Sequence, residues 1–287
     1  MLSKEFSDYL SNLIDSNINT IQTISGGDIS AAYLIQTKQN KYFLKVNSKA
    51  WALDMFKVEA QGLTAINNTK TIATPEVIAF DTFKNESFIL MEYVESKRGT
   101  SEDMELLGAQ LALLHHVSSP NFGFDDNNFI GSLHQSNKKH KTWNEFYIEE
   151  RLNPQMELAR SKGLLRVSEI PETELMKTTC FPYFKDIKPS LLHGDLWSGN
   201  YLISDSGKPY LIDPATYFGH SEVDIAMSKL FGGFGASFYD AYHEIVPKDE
   251  FTKNRIELYQ LYYLLVHLNL FGSSYYGSVK SILNNYF

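Results

Sequence analysis

An aspartate, an asparagine and a second aspartate stand close together in the later half of this chain. The first two lie in Leu191-Leu192-His193-Gly194-Asp195-Leu196-Trp197-Ser198-Gly199-Asn200, and the third in Tyr210-Leu211-Ile212-Asp213-Pro214. These are the residue types that phosphoryl transfer asks for. Such a reaction needs positioning and charge neutralisation, with little covalent chemistry from the protein. Magnesium takes hard oxygen ligands and keeps several waters, so one carboxylate and one amide oxygen suffice beside phosphates. The turn Ser204-Asp205-Ser206-Gly207-Lys208 lies between two short apolar runs and reads as a hairpin that returns Asp213 to Asn200. The competing reading is a polar loop with incidental acids, since Asp, Gly and Asn are common in turns.

The order of these three residues is similar to the catalytic equipment of kinases built on the protein-kinase plan. That likeness assigns Asp195 as the base that accepts the proton of the attacking hydroxyl. It assigns Asn200 and Asp213 as holders of the Mg2+ that bridges the ATP phosphates.

The elements that must position these groups are legible upstream. Tyr42-Phe43-Leu44-Lys45-Val46 is a strand-like run with one lysine inside it. Leu53, Phe56, Ala60, Leu63 and Ile66 then recur at helical spacing, and Glu59 falls on their apolar face. A carboxylate there is costly unless paired, and Lys45 is the natural partner. In kinases of this plan such a lysine grips the ATP phosphates and is held by a helix glutamate. Ile24-Ser25-Gly26-Gly27-Asp28-Ile29-Ser30 lies between two strand-like runs. Gly26 and Gly27 would let backbone amides approach phosphate, and Ser30 could add a hydrogen bond. A plain hairpin turn fits the same residues. After Ser87-Phe88-Ile89-Leu90, the segment Met91-Glu92-Tyr93 sits where a hinge would offer backbone groups to adenine.

Around the base, Trp197 would set a flat apolar wall beside the acceptor hydroxyl, which suits a sugar or an amine-bearing ligand. Core packing is the alternative. Asp213 is followed almost at once by Glu222 and Asp224, with no long activation segment and no Ala-Pro-Glu to dock a peptide. His193 is expected to shape the loop through backbone hydrogen bonds, and Asp224 to anchor it. His115 ends a helical run and is expected to be structural. His267 faces either the core or the acceptor pocket, with the core slightly preferred. Neither the eight histidines nor Cys180 show zinc spacing.

With these residues in view, the chain resembles the fructosamine kinase (ketosamine-3-kinase) family, related to aminoglycoside and choline kinases. The resemblance spans nearly the whole chain. Its most specific parts are His193 to Asn200 and Asp213 to Met227, joined by Asp126 to Gly131, Gln135, Asn137, Trp143, Phe146, Arg151-Leu152 and Leu230 to Phe234. One departure is Ser221, where this family usually carries Arg between the His and the Glu. The resemblance implies ATP- and Mg2+-dependent phosphorylation of the 3-hydroxyl of a fructosamine or ribulosamine. That product destabilises the glycation adduct and releases the free amine. The alternatives are a kinase for another acceptor, such as an aminoglycoside or an amino alcohol, and a catalytically silent nucleotide-binding module.

Composition agrees. The chain has 287 residues, 43% of them hydrophobic, enough for a full core. A net charge of −8 argues against nucleic acid and is compatible with a cationic acceptor such as a glycated lysine side chain. One cysteine cannot form an internal disulfide, which fits a reducing, cytoplasmic setting. The N-terminus does not read as a signal peptide, and the apolar run Leu261 to Leu270 is too short to span a bilayer.

The expected architecture is α+β: a bilobal protein-kinase-like fold, with a small sheet-rich N-terminal lobe (1–94, ATP) and a mainly helical C-terminal lobe (95–287, catalysis and acceptor). Helices are expected at 1–17, 50–67, 102–116, 143–161, 172–184, 222–231, 235–245, 249–271 and 275–285. Strands are expected near 20–25, 31–37, 41–47, 77–82 and 86–93. Segment 118–142 reads as a long structureless loop lining the acceptor pocket.

Overall fold

A computed structural model describes residues 2–24 and 30–287. The first part contains α1 (Lys4–Leu13), β1 (Ile18–Ile24), β2 (Ala31–Thr37), β3 (Lys41–Asn47), α2 (Ala52–Asn68), β4 (Val77–Phe83) and β5 (Glu86–Glu92). The strands form one antiparallel sheet in the order β1-β2-β3-β5-β4.

Both faces of this sheet are covered, and strand alternation decides which residues meet which helix. Leu44 and Val46 of β3 pack with Phe88 and Leu90 against Phe6 and Leu10 of α1. The opposite face presents Phe43, Ile89 and Met91 to Phe56, Ala60 and Leu63 of α2. Lys45 alternates onto the α2 side, where Glu59 lies on the inner face of the helix. Ser3 caps α1, its hydroxyl accepting from the Phe6 amide at 3.1 Å. The helix ends four residues before the expected boundary, and Asp15 adopts a φ of +48°.

The remainder is mainly helical. It comprises β6 (Ser96–Lys97), α3 (Ser101–His115), β7 (Asn128–Ile130), β8 (Leu133–Gln135), α4 (Trp143–Tyr147), α5 (Asn153–Ser161), α6 (Thr173–Phe184), β9 (Ser190–Leu192), β10 (Tyr201–Ser204), β11 (Pro209–Leu211), β12 (Tyr217–Gly219), α7 (Glu222–Leu230), α8 (Ala236–Ile245), α9 (Thr252–Phe271) and α10 (Tyr276–Tyr286). A π-helical turn, Ile148–Leu152, joins α4 to α5. Helix α9 is the spine of this part: Leu258, Leu261, Leu265 and Leu268 are all fully buried. α3 crosses α8 at Gly108, where a β-carbon would lie 2.2 Å from the Phe238 carbonyl oxygen.

Segment 118–142 is not structureless. It contains the β7–β8 hairpin, in which Asn128 pairs with Gln135. The reason it escapes sequence reading is physical. Its strands are three residues long, and buried side-chain amides hold it in place of an apolar stripe. The antiparallel pair β10–β11 is the expected catalytic hairpin, and β6 adds to its outer edge.

Candidate active site

The catalytic loop is hung from α7. The Asp224 carboxylate is fully buried and accepts the backbone amides of His193 and Gly194, each at 2.8 Å. His115 of α3 meets the same carboxylate at 3.1 Å through Nε2, and Tyr242 of α8 at 2.8 Å through Nδ1. Two helices and a loop thus share one buried acid, and a buried carboxylate so surrounded needs no metal.

His193 fixes the other side of the loop. Its Nδ1 accepts the Asp195 amide at 3.2 Å, so Nε2 carries the proton and donates to the Ile212 carbonyl at 2.8 Å. Burial lowers the His193 pKa, which keeps this neutral tautomer. The ring therefore ties Asp195 to the residue preceding Asp213. A second tie is the Ala215 amide, which donates to the His193 carbonyl at 2.9 Å. Tyr263 of α9 donates its hydroxyl to the Gly194 carbonyl at 2.8 Å.

Asn200 straddles the two acids. Its Nδ2 donates to the Asp195 carbonyl at 2.9 Å and to the Asp195 carboxylate at 3.3 Å, while its backbone carbonyl accepts the Ile212 amide at 3.1 Å. With the amide nitrogen spent on Asp195, the amide oxygen is left for a cation. Asp213 holds a left-handed φ of +54°, and its side chain is 41% exposed. Hard oxygens from Asn200 and Asp213 are the donors that magnesium takes, so the residues fit that ion.

Lys45 joins the two halves of the site. Its Nζ lies 2.8 Å from Glu59 Oε1 and also contacts the Asp213 carboxylate. Burial alone would lower the Lys45 pKa, but Asp213 and Glu59 outweigh it and the ammonium persists. Burial would likewise raise Asp213, yet Lys45 draws it down and keeps it charged. Glu59 is the loser of this contest for one cation, and burial pushes its pKa up. Asp195 is pushed up to about 7, chiefly by burial, with the charges of Asp213 and Asp224 adding to it.

The β7–β8 hairpin packs beside these groups through amides. Asn128 Nδ2 donates to the Thr216 carbonyl at 2.9 Å, and Gln135 Nε2 to Asn128 Oδ1 at 2.7 Å. Tyr262 donates its hydroxyl to Gln135 Oε1. Arg151, fully buried in the π-helical turn, stacks 4.0 Å from the Tyr217 ring centroid and donates to Asn137 Oδ1 at 2.7 Å and to the Ser136 carbonyl. The hairpin also reaches α2: Trp51 stacks on Phe129 at 6.1 Å, and Gln61 Nε2 donates to Asp126 at 3.0 Å.

Of the residues picked from sequence, Lys45, Glu59, Asp195, Asn200, Asp213, His193 and Asp224 come together. Gly26 and Gly27 lie outside the described residues. Ser30 Oγ accepts from Asn47 Nδ2 at 3.3 Å. Among the hinge residues, the Glu92 amide donates to the Glu76 carbonyl at 2.8 Å and the Tyr93 amide to the Lys41 carbonyl at 3.3 Å. Those two amides are thus engaged within the protein, while Met91 is buried in the sheet. Trp197 is 40% exposed with its ring folded over Gly199, so it is not a core residue. His267 is half-buried at the edge of the protein rather than in the core. Sequence reasoning gave no role to Tyr263, Gln61 or Arg255. Each acts across a long stretch of chain, which leaves no local pattern to find.

Comparison with known proteins adds a family frame. A family model described as fructosamine kinase matches residues 2–287. A protein-ribulosamine 3-kinase from Arabidopsis thaliana is 39% identical over 277 residues, covering 94% of this chain and 83% of that one. A ketosamine-3-kinase from Mus musculus is 37% identical over 297 residues, covering 94% and 96%. A crystal structure of a candidate fructosamine-3-kinase from Haemophilus somnus 129PT superposes with a TM-score of 0.88 at 28% identity, covering 98% and 96%. Aminoglycoside phosphotransferase APH(4)-Ia, at 17% identity and a TM-score of 0.61, covers 99% of each chain and shares the fold.

Proposed function

The chain belongs to the fructosamine kinase family, and on that premise we propose that it transfers the γ-phosphoryl group of ATP to the 3-hydroxyl of a ketosamine. The similarity to a plant protein-ribulosamine 3-kinase and a mouse ketosamine-3-kinase supports this acceptor and this position. The observation that carries the reading is Asn200, bonded to Asp195 through its side chain and to the Asp213 segment through its backbone. That arrangement leaves a base and a cation-binding acid on either side of one amide.

In this reading Asp195 takes the proton as the O3–H bond breaks. A bond forms between O3 and the γ-phosphorus, the bond to the bridging β–γ oxygen breaks, and ADP leaves. A carboxyl pushed up to about 7 is well matched to accept a proton near neutrality. Mg2+, held by Asn200 and Asp213, supplies charge neutralisation to the phosphates when bound. Lys45, kept in place by Glu59, pairs with the phosphates. Gly26, Gly27 and Ser30 are assigned to the same phosphates, and backbone groups of Met91 to Tyr93 to the adenine. Trp197 forms the wall of the acceptor site, while His193 and Asp224 hold the base in position. Residues 1–94 then form the ATP-binding lobe and 95–287 the catalytic and acceptor lobe.

The acceptor is a free ketosamine or a glycated lysine, and its phosphorylation is a deglycation step. A cytoplasmic setting belongs to the same proposal, supported by a lone cysteine, Cys180, that is fully buried. Among the described residues no helix is long and apolar enough to cross a membrane.

The test is ADP release with ATP, Mg2+ and fructosyl-lysine or ribulosyl-lysine. Turnover that falls about 10²- to 10⁴-fold in Asp195→Ala supports the reading. Activity confined to aminoglycosides or amino alcohols would move the acceptor class. Stabilisation by ATP and Mg2+ without transfer to anything would mean a silent module.

A further inference from the structure

Helix α9 passes under the catalytic loop and then leaves the core. Tyr263, whose hydroxyl meets the Gly194 carbonyl, is fully buried. One turn on is His267, whose Nδ1 donates to the Tyr263 carbonyl at 2.7 Å. Two turns on is Phe271, which is 58% exposed. At 1.5 Å per residue these positions lie about 6 and 12 Å along the axis from Tyr263.

Four aromatic rings gather there. The His267 ring lies 4.7 Å from Phe231, 5.5 Å from Phe271 and 5.2 Å from Tyr275. Phe231 is 40% exposed and begins the run Phe231-Gly232-Gly233-Phe234-Gly235 at the end of α7. On the other side the turn of the β7–β8 hairpin closes in, since a β-carbon on Gly131 would lie 2.9 Å from Leu270 Cδ1. The rings therefore form a partly exposed cluster on the stretch of α9 that follows its contact with the catalytic loop, with the amide hairpin beside it.

Exposed aromatic clusters of this kind are uncommon on a surface without a binding role. Their position selects the occupant. In a ketosamine the nitrogen is attached two carbons from C3, so the group carried by that nitrogen begins close to the reacting hydroxyl and extends away from it. Resting on the ketosamine reading above, we propose that Phe231, His267, Phe271 and Tyr275 form the subsite for the alkylammonium carrier of the acceptor, the lysine side of a glycated lysine. Aromatic faces receive both parts of such a group: the methylenes by burial and the ammonium by cation–π attraction. Burial lowers the pKa of His267, so its ring stays neutral and does not repel a cation. A protein of net charge −8 adds a favourable background field. The enzyme would then select acceptors by their carrier as well as their sugar.

The experiment compares two acceptors, fructosyl-lysine and 1-amino-1-deoxyfructose, which has the same sugar and no carrier. Wild type, Phe271→Ala and Phe231→Leu are assayed for KM and kcat, with thermal unfolding as the control for folding. Phe271 is mostly exposed, so its removal leaves the core intact. The expected result is a KM for fructosyl-lysine about tenfold higher in Phe271→Ala, with kcat, the KM for ATP and the KM for 1-amino-1-deoxyfructose within about twofold of wild type. Phe231→Leu should move the same constant in the same direction. Equal changes for both acceptors, or none, would overturn the subsite while leaving the ketosamine kinase standing. A wild-type protein inert toward both acceptors would remove the ketosamine reading, and the subsite with it.

Discussion

Gly194 and Ala215 approach so closely that a β-carbon on Gly194 would lie 2.1 Å from the Ala215 carbonyl oxygen. The contact joins the loop of the proposed base to the segment of the proposed magnesium ligand, Asp213. Gly194 also holds a φ of +87°, which only glycine adopts without strain. Gly194→Ala must push the two loops apart or distort the backbone, at about 1–3 kcal/mol for the strain alone. Turnover is expected to fall at least about 10²-fold, since ångström shifts at a reacting centre have that effect. Gly163 is the control, at φ +69° with nothing within 4 Å of its would-be β-carbon. Gly163→Ala should lower the melting temperature slightly and leave ADP release unchanged. Full activity in Gly194→Ala would show that the close approach is not required.

Glu59 and Asp213 compete for Lys45, and Glu59 is the one that burial disfavours as an anion. Glu59→Gln keeps the shape of the side chain and removes its charge. Lys45 is then drawn toward Asp213 alone and is less well placed for phosphate. Loss of one charge-assisted hydrogen bond, about 1.5–3 kcal/mol, predicts a KM for ATP roughly 10- to 100-fold higher, with the acceptor KM unchanged. Because a buried carboxylate is also removed, the melting temperature at pH 8 should hold or rise. Steady-state kinetics with varied ATP and one unfolding curve check both parts, and a KM that does not move would refute the role given to Glu59.

Much of this site was legible because it is local or periodic. Strand alternation at Leu44, Lys45 and Val46 and helical spacing from Phe56 to Ile66 put Lys45 and Glu59 on facing surfaces. The spacing of Asp195, Asn200 and Asp213 did the same for the loop. What escaped is held by distant partners. The β7–β8 hairpin depends on Asn128 and Gln135 reaching Thr216 and Tyr262, and short polar strands of that kind carry no periodic signal. The loop-shaping role of His193 is read from its place beside Asp195, but the tautomer by which it acts, Nδ1 accepting and Nε2 donating, is encoded by no spacing. The departure at Ser221 is resolved the same way, by an arginine from α9.

Glu222 keeps its arginine partner even though Ser221 cannot supply one. Arg255 donates to it through Nε at 2.6 Å and Nη2 at 2.8 Å, and Thr252 adds a hydroxyl at 2.8 Å. Arg255 and Glu222 are 6% and 5% exposed. Breaking a buried pair by removing one partner costs about 3–5 kcal/mol, because the remaining charge is left uncompensated. Arg255→Ala is therefore expected to lower the melting temperature by roughly 10 °C, at about 2–4 °C per kcal/mol for a chain of this size. Below the new transition, kcat should stay near wild type, since Asp224, two residues along α7, still accepts the His193 and Gly194 amides. Calorimetry decides the first point, and a shift under about 3 °C would count against it.

The acidity of Asp195 links activity and stability in opposite directions. Its pKa of about 7 in the folded protein compares with an ordinary 3.8, raised chiefly by burial and then by Asp213 and Asp224. A base must be ionised to act, so kcat/KM should climb about tenfold per pH unit from pH 5 to about 7 and level off above it. Stability runs the other way. Between about pH 4 and 7 the folded chain holds a proton that the unfolded chain has released, so rising pH favours unfolding across that window, with no further loss above it. Asp195→Asn removes the titrating group without changing the shape of the side chain. It should abolish turnover and make the apo protein more stable than wild type at pH 8, with the difference shrinking as pH falls and gone near pH 4. Unfolding curves of the two proteins at pH 4, 6 and 8 measure this directly. Parallel curves at all three would mean that Asp195 titrates near its ordinary value and that the limb of the rate profile belongs to another group.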